Sequence, residues 1–168
     1  MIASATIRLL GIDEAEAFRS IRLEALRMEP ASFASSAEDW EKLSDEEWRR
    51  RTVANPVFVA FQDDIPVGIM GMMRQNASKM AHRATLVMVY LRRELRGTGL
   101  AERLLDAVAD YARNEGIIQL ELAVSADNPT AIRFYNREGF SEVGRIPGGF
   151  LHEGREIDDV IMVKRIAD

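Results

Sequence analysis

The chain of 168 residues contains no cysteine and only two histidines, His82 and His152. The lack of cysteine excludes disulfides, thiol nucleophiles and cysteine-ligated metals. Because the two histidines lie far apart in the chain, a zinc site built on histidine is not expected either. We therefore predict that the protein holds no metal.

Positive charge and long hydrophobic runs are also scarce. The chain has 22 lysines and arginines against 27 aspartates and glutamates, a net charge of −5. Nucleic-acid partners are not expected, since they require a dense basic surface. The longest apolar run, Ala84 to Leu91, is far shorter than the roughly 20 residues of a membrane span. Met1 to Gly11 has no basic segment before an apolar core, so no signal peptide is predicted and the chain is expected to be cytoplasmic.

Length and patterning predict one domain over residues 1–168. Apolar residues make up 47% and charged residues 29%, as in ordinary globular proteins, and no linker divides the chain. Helical periodicity and capping signals predict helices beginning near Asp13, Ser44, Gly99 and Asn128. Strands are predicted at Thr6–Leu10, Val57–Gln62, Ile65–Gln75, Ala84–Leu91, Leu120–Val124, Phe140–Ile146 and Ile157–Lys164. Ala31–Leu43 and Pro147–Gly149 are predicted to be irregular. The pattern indicates a mixed α/β fold with most strands joined as hairpins.

The segment from Leu91 to Ala101 carries the clearest chemical signal. A buried strand runs through a turn with three arginines and two glycines into the start of a helix. Unpaired N–H groups and a partial positive charge at a helix N-terminus suit a phosphate or pyrophosphate. The dinucleotide fingerprint fails because Glu102 stands where its third glycine should be, and no Gly-Lys-Ser/Thr follows for a nucleoside-triphosphate loop. A purely structural turn with solvated arginines is the alternative.

Two blocks of sequence together resemble the GNAT superfamily of acetyl-CoA-dependent N-acetyltransferases. The first, Arg96-Gly97-Thr98-Gly99-Leu100-Ala101, is similar to the family motif Gln/Arg-x-x-Gly-x-Gly/Ala. The second runs from Asn128 to Phe140 and is similar to the block Asn-x-x-Ala-x-x-Phe-Tyr…Gly-Phe. The resemblance implies a mixed, mostly antiparallel central sheet of about seven strands flanked by about four helices. It implies acetyl-CoA as the co-substrate and an amine as the acceptor; family members often dimerise through late strands, so a homodimer is compatible with it.

The resemblance also implies roles for individual residues. Backbone groups of Val89 and Leu91 would pair with the pantetheine arm, and Asn128 would contact it. Ala131 and Phe134 would pack near the cofactor, and Tyr135 would bond to the thioester sulfur and protonate the leaving thiolate. The pyrophosphate would bind the amides of Arg96, Gly97, Thr98, Gly99, Leu100 and Ala101. Tyr135 could instead be a core residue, and Asn128 a simple helix cap.

The acceptor and the general base stay open. The acidic residue that many relatives carry near the start of the central strand is missing here, which leaves His82, His152, Glu153 or a water molecule. The acceptor site is expected between Ala31–Leu43 and Pro147–Arg155, where acidic residues would either favour a cationic amine or form a solvated loop. The leading hypothesis is direct acetyl transfer to a small-molecule amine, since the chain has no cysteine for a covalent intermediate. The alternatives are acetylation of a protein N-terminus or lysine, and a non-catalytic acyl-CoA sensor.

Overall fold

One seven-stranded sheet forms the centre of the fold. The computed structural model describes residues 4–168, and Met1 to Ala3 lie outside the described residues. Those three residues belong to the predicted domain and to the segment considered above for a signal peptide. The strands are β1 (Thr6–Leu9), β2 (Val57–Gln62), β3 (Ile65–Arg74), β4 (Arg83–Leu91), β5 (Gln119–Ser125), β6 (Ser141–His152) and β7 (Arg155–Arg165). Their order is β1-β2-β3-β4-β5-β7-β6, and only the β4–β5 pair is parallel in this described sheet. The predicted mixed, mostly antiparallel sheet is confirmed.

Five α-helices accompany the sheet within residues 4–168, one more than the sequence suggested. They are α1 (Ala15–Met28), α2 (Ala37–Glu41), α3 (Asp45–Ala54), α4 (Leu100–Asn114) and α5 (Pro129–Arg137). The extra helix α2 lies in the segment predicted to be irregular; it is little more than one turn, and the Ser36 side chain caps it at the Asp39 amide. The capping residues predicted for α1 were wrong: Gly11 and Glu14 make the capping contact, because a short 3-10 turn precedes the helix.

The two faces of the sheet carry separate groups of helices. In β2, Val57, Val59 and Phe61 pack in one cluster with α1 and α3, whereas Phe58 and Ala60 pack in the other with α4. Alternation along a strand sends neighbouring side chains to opposite faces, which explains why β2 is buried on both sides. The helix that follows the glycine loop therefore lies on the opposite face from α1.

The sheet divides between β4 and β5. Their parallel pairing is limited to three register pairs, the last of which is Thr85 with Glu121. Beyond that point β4 contains an irregularity against β3, where Met88 adopts a left-handed backbone conformation with φ of 56°. A bulge of this kind bends and twists a strand. The remainder of β4 thus has no strand on its β5 side, and a cleft opens there.

The glycine-rich segment near the C-terminus is part of a strand, not the predicted loop. Strand β6 continues through Pro147, Gly148 and Gly149 with a register shift, and the reversal comes at Glu153–Gly154. β6 is an edge strand in the described sheet, and an edge strand tolerates the missing N–H of a proline such as Pro147. The Gly148 amide donates instead to the Asp158 carboxylate at 2.9 Å.

Candidate active site

The turn between β4 and α4 presents a row of free backbone donors. Gly97 and Gly99 have φ of 76° and 89°, values that strain any residue with a Cβ. In the described part of the chain, the N–H groups of residues 97–102 have no protein acceptor. The Arg96 amide, also expected at the pyrophosphate, is not free, because it donates to the Arg93 carbonyl at 3.2 Å. An added Cβ at Gly97 or Gly99 would meet no atom within 4 Å, so open space lies beside the turn. These features suit close approach of an anion to the backbone.

The arginines of this turn are held by carboxylates of α1 and its C-terminal cap. Arg92 donates to Glu24 at 2.7 Å, and Arg96 donates to Glu29 at 2.9 Å. Arg93 is 81% exposed and lies 3.7 Å from Glu29. The basic turn is therefore largely balanced within the protein. Local sequence could not reveal this, because both glutamates lie more than 60 positions upstream of their partners.

Glu24 belongs to a small polar network at the base of the turn. Its carboxylate also accepts a hydrogen bond from the Tyr90 hydroxyl at 3.0 Å. Burial alone would raise the pKa of Glu24, but the hydrogen bonds from Arg92 and Tyr90 outweigh it and the pKa is lowered. Glu24 is thus ionised at neutral pH and fixes α1 to the end of β4.

A cavity of about 570 Å³ occupies the cleft between β4 and β5. Most of the residues assigned to the cofactor by resemblance line it: Val89, Leu91, Arg96, Gly97, Ala101, Asn128, Ala131, Phe134 and Tyr135. Thr98, Gly99 and Leu100 do not. Thr98 donates its hydroxyl to the Leu95 carbonyl at 2.6 Å, and Leu100 is buried in the core. Both residues shape the turn through contacts inside the protein.

Tyr135 lies in the wall of this cavity. It is 5% exposed, and its ring packs edge-on against Phe134 and Phe140 at centroid distances of 5.3 and 5.5 Å. Burial raises the pKa of its hydroxyl above the ordinary value. Among residues 4–168 the hydroxyl has no hydrogen-bond partner, yet it is not sealed from the cavity. A protonated phenol with a free donor therefore faces the cleft.

Asn128 has a structural task that leaves part of its side chain free. It caps α5, and its Oδ1 accepts from the Ala131 amide at 3.1 Å. Pro129 follows at the first helical position, where the absence of an N–H has no cost. The carboxamide –NH₂ group is left for another partner in the cavity that Asn128 lines.

Comparison with known proteins identifies the family. A sequence profile described as Acetyltransferase (GNAT) family matches residues 18–140. The chain belongs to the GNAT acetyltransferase family. The resemblance predicted from the two sequence blocks is thereby confirmed, and the match covers the turn, the cleft and α5.

Several GNAT relatives are similar to this chain over part of their length. It is 27% identical over 132 residues to mycothiol acetyltransferase of Brachybacterium faecium, covering 79% of this chain and 39% of that protein. It is 30% identical over 95 residues to N-alpha-acetyltransferase 30 of Schizosaccharomyces pombe, covering 56% and 63%. It is 34% identical over 74 residues to L-methionine sulfoximine/L-methionine sulfone acetyltransferase of Pseudomonas aeruginosa, covering 44% and 43%. The chain thus spans between 39% and 63% of these relatives.

Solved structures share the GNAT fold. An acetyltransferase of the GNAT family from Streptococcus pneumoniae superposes with a TM-score of 0.85 at 20% identity, covering 98% of this chain and 100% of that one. The protein yncA from Salmonella typhimurium, solved with its cofactor acetyl-CoA, gives a TM-score of 0.81 at 20% identity, covering 99% and 96%. At these identities the likeness shows the fold alone.

The side chains considered as general base lie away from the GNAT cleft. His82 is exposed just before β4, and its carbonyl accepts from the Ile118 amide at 2.9 Å. His152 ends β6, with its Nε2 3.9 Å from the Glu153 carboxylate. None of the three lines the cavity. Its acidic lining residues are Glu29, Glu102 and Asp127, which sequence reasoning did not single out.

Two further searches of the described residues returned nothing. Within residues 4–168, no group of three or more His, Asp or Glu side chains is placed to hold a metal ion. In that same part of the chain, no helix is both long and apolar enough to cross a membrane.

Proposed function

We propose that this GNAT protein transfers the acetyl group of acetyl-CoA directly to a primary amine of a small molecule, within a single domain. One observation carries the proposal: the lining of the cleft between β4 and β5 includes Gly97 and Ala101, whose amides are free, together with Tyr135, whose hydroxyl is free. Two sequence blocks about 30 positions apart supply these groups, and only the division of the sheet places them together.

The turn and β4 supply two kinds of contact for the cofactor. The amides from Gly97 to Ala101 would hold the pyrophosphate, with the dipole of α4 behind them. The β5 side of β4 near Val89 and Leu91 has no neighbouring strand, so its backbone groups are free to pair with the pantetheine arm. Arg96 would exchange Glu29 for a phosphate oxygen, since one guanidinium can serve either anion.

Tyr135 would act on the sulfur. When bound, acetyl-CoA supplies a thioester whose C–S bond breaks as the amine nitrogen bonds to the carbonyl carbon. The Tyr135 hydroxyl would donate its proton to the departing thiolate, and the tyrosinate so formed would regain a proton from the amine nitrogen as the amide forms. Burial raises the pKa of this hydroxyl, so it stays protonated at neutral pH. The ammonium proton of the acceptor would leave to water or to a carboxylate that lines the cavity.

A small acceptor is supported by the names of two relatives. These are mycothiol acetyltransferase and L-methionine sulfoximine/L-methionine sulfone acetyltransferase, which name small molecules. The similarity to N-alpha-acetyltransferase 30 favours the alternative, a protein N-terminus. To distinguish the two, kcat/KM is compared between each free amino acid and a short peptide that begins with the same residue.

The test of the proposal is Tyr135→Phe, with Tyr111→Phe as the matched control. Tyr111 lies on α4, where its ring packs against Phe58 of β2, and it does not line the cavity. Loss of a general acid lowers kcat by roughly 10²–10⁴-fold, whereas acetyl-CoA affinity should change little. Free CoA thiol can be measured without background, because the chain has no cysteine.

Two results would contradict this reading. A fall in kcat of equal size in both variants would show that the tyrosine hydroxyl at the cleft has no special role. Binding of acetyl-CoA without release of CoA thiol to any amine or peptide would favour the non-catalytic sensor.

A further inference from the structure

Arg22 is a buried cation without a carboxylate partner. It lies on α1 and is 4% exposed, and its Nε and Nη1 atoms have no hydrogen-bond acceptor among the described residues. Its guanidinium carbon lies 4.5 Å from the centre of the Trp40 ring and 5.1 Å from that of Phe33. The side chain is therefore enclosed by aromatic faces, which attract a cation but accept no strong hydrogen bond.

Its surroundings set Arg22 apart from the arginines of the turn. Arg92 and Arg96 each hold a glutamate, whereas the charged neighbour that acts on Arg22 is a second arginine, Arg51. Arg51 is itself paired with Glu47 at 2.8 Å. Burial, and then the charge of Arg51, lower the pKa of Arg22 to about 10. The guanidinium is still charged at neutral pH.

A second unpartnered donor belongs to the same cluster. The Trp48 indole Nε1 is buried without an acceptor, and the Trp48 ring lies 5.4 Å from that of Trp40. Buried donors and charges are unfavourable unless they are paired, and most proteins pair them. An anion at this cluster would supply the hydrogen-bond acceptor and the negative charge that the described residues do not provide.

The cluster adjoins the proposed acceptor end of the cavity. Phe33 contacts the Arg22 guanidinium on one side and lines the cavity on the other, together with Ala31 and Ser32. These residues follow α1 directly and share the cavity lining with β5 residue Ser125. Phe33 is thus the side chain that the Arg22 guanidinium and the cavity have in common, and binding of a cavity ligand by Arg22 requires Phe33 to turn aside.

We propose that Arg22 binds a carboxylate of the acceptor, so that the acceptor is an amino acid or a related amine that carries a carboxylate. This inference rests on the proposed function and names its substrate class. The planar guanidinium offers two parallel donors, which match a carboxylate. Asp127, a lining carboxylate that is paired with the exposed Arg155, suits the ammonium of the same zwitterion.

The test compares matched acceptors on the unmodified protein. A panel of α-amino acids is assayed beside the primary amide of each, with release of CoA thiol as the readout. We expect at least one amino acid to have a kcat/KM at least tenfold above that of its amide. The difference should come mainly from a lower KM for the acid. Equal turnover of acids and amides would overturn the Arg22 proposal and leave the acetyltransferase intact. No turnover of either, with turnover of other primary amines, would overturn the Arg22 proposal alone; no turnover of any amine would overturn both.

Variants then assign the preference to Arg22. Arg22→Met keeps an unbranched side chain but loses the guanidinium and its charge. We expect it to abolish the preference through KM for the acid, with amide kinetics within about twofold. The control is Arg19→Met, since Arg19 lies on the same helix near the Trp48 ring but is paired with Asp45. Arg22→Lys, which keeps the charge but not the fork, should retain part of the preference. An equal loss for acid and amide in the Arg22 variants would show a packing role and overturn the proposal.

Discussion

Replacement of Gly97 by alanine separates backbone strain from ligand contact. Gly97 has φ of 76° in the turn that lines the cavity, and Gly116 has φ of 80° at the other end of α4, outside it. Neither Cβ would clash, since the nearest atom is more than 4 Å from Gly97 and 3.9 Å from Gly116. Gly97→Ala and Gly116→Ala thus impose the same strain at two places.

The strain has a known scale. A left-handed conformation costs an ordinary residue about 1–2 kcal/mol. For a chain of this length, each kcal/mol corresponds to roughly 2–4 °C in Tm. Both variants should therefore melt about 2–8 °C below the unmodified protein. That loss is expected to be similar in the two, since the sites differ little in φ or in space.

Acetyl-CoA should distinguish the two variants. A ligand at 100 times its Kd stabilises a folded protein by about 2.7 kcal/mol, which is roughly 5–11 °C here. The Cβ added in Gly97→Ala would enter the open space in which the pyrophosphate approaches the turn. If this displaces the ligand from one hydrogen bond to a charged group, worth about 1.5–3 kcal/mol, binding would weaken by roughly 10–100-fold. At the same concentration the stabilisation would fall to about 0.4–1.4 kcal/mol. Gly116→Ala should keep the full shift.

Thermal melts with and without acetyl-CoA, supported by calorimetric titration, measure both quantities. Desulfo-CoA serves as a check that the effect lies at the pyrophosphate, not at the thioester. If Gly97→Ala keeps the full acetyl-CoA shift, or if both variants lose it equally, the turn amides are not the pyrophosphate site.

Further predictions concern the ion pairs around the cleft. Glu29→Gln removes the carboxylate that Arg96 would have to leave in order to bind a phosphate oxygen. Acetyl-CoA binding measured by calorimetry should therefore tighten about two- to fivefold. Weaker binding would mean that Glu29 positions Arg96. Glu121→Gln removes the partner of Arg83 beside the last β4–β5 pair and should cost about 1 kcal/mol at pH 7 in urea unfolding. The hydrogen bond from Arg83 lowers the pKa of Glu121, so this difference is present above the unfolded pKa of about 4.3 and lost as pH falls below it. A difference that does not decrease as the pH is lowered through this range would contradict that assignment.

Local sequence patterns predicted the elements well where a pattern is long or has a distinct chemistry. The helix after Gly99 and the buried strand Ala84–Leu91 follow from periodicity and from a continuous apolar run. The helix at Asn128–Pro129 follows from its cap. Short elements were harder. The one-turn helix α2 buries too little to leave a periodic signal, and the glycines near Pro147 belong to a bulged strand because tertiary pairing with β7 overrides their turn preference.

What the sequence by itself determined is the family, the glycine turn before α4 and the tyrosine of α5. These depend on residues close together in the chain, whose backbone requirements are local: left-handed glycines before a helix, and a capped start to the next one. The lack of cysteine likewise excludes an acyl-cysteine intermediate.

Only the tertiary structure decided how charge is distributed around the cleft. Glu24 and Glu29 take up Arg92 and Arg96, so the arginines that made the turn look strongly basic are already paired. Arg22, one of many arginines in the sequence, became distinctive only when α1, Phe33 and Trp40 enclosed it without a counterion. Burial and pairing depend on contacts between distant segments, and these determine which charges remain available to a ligand.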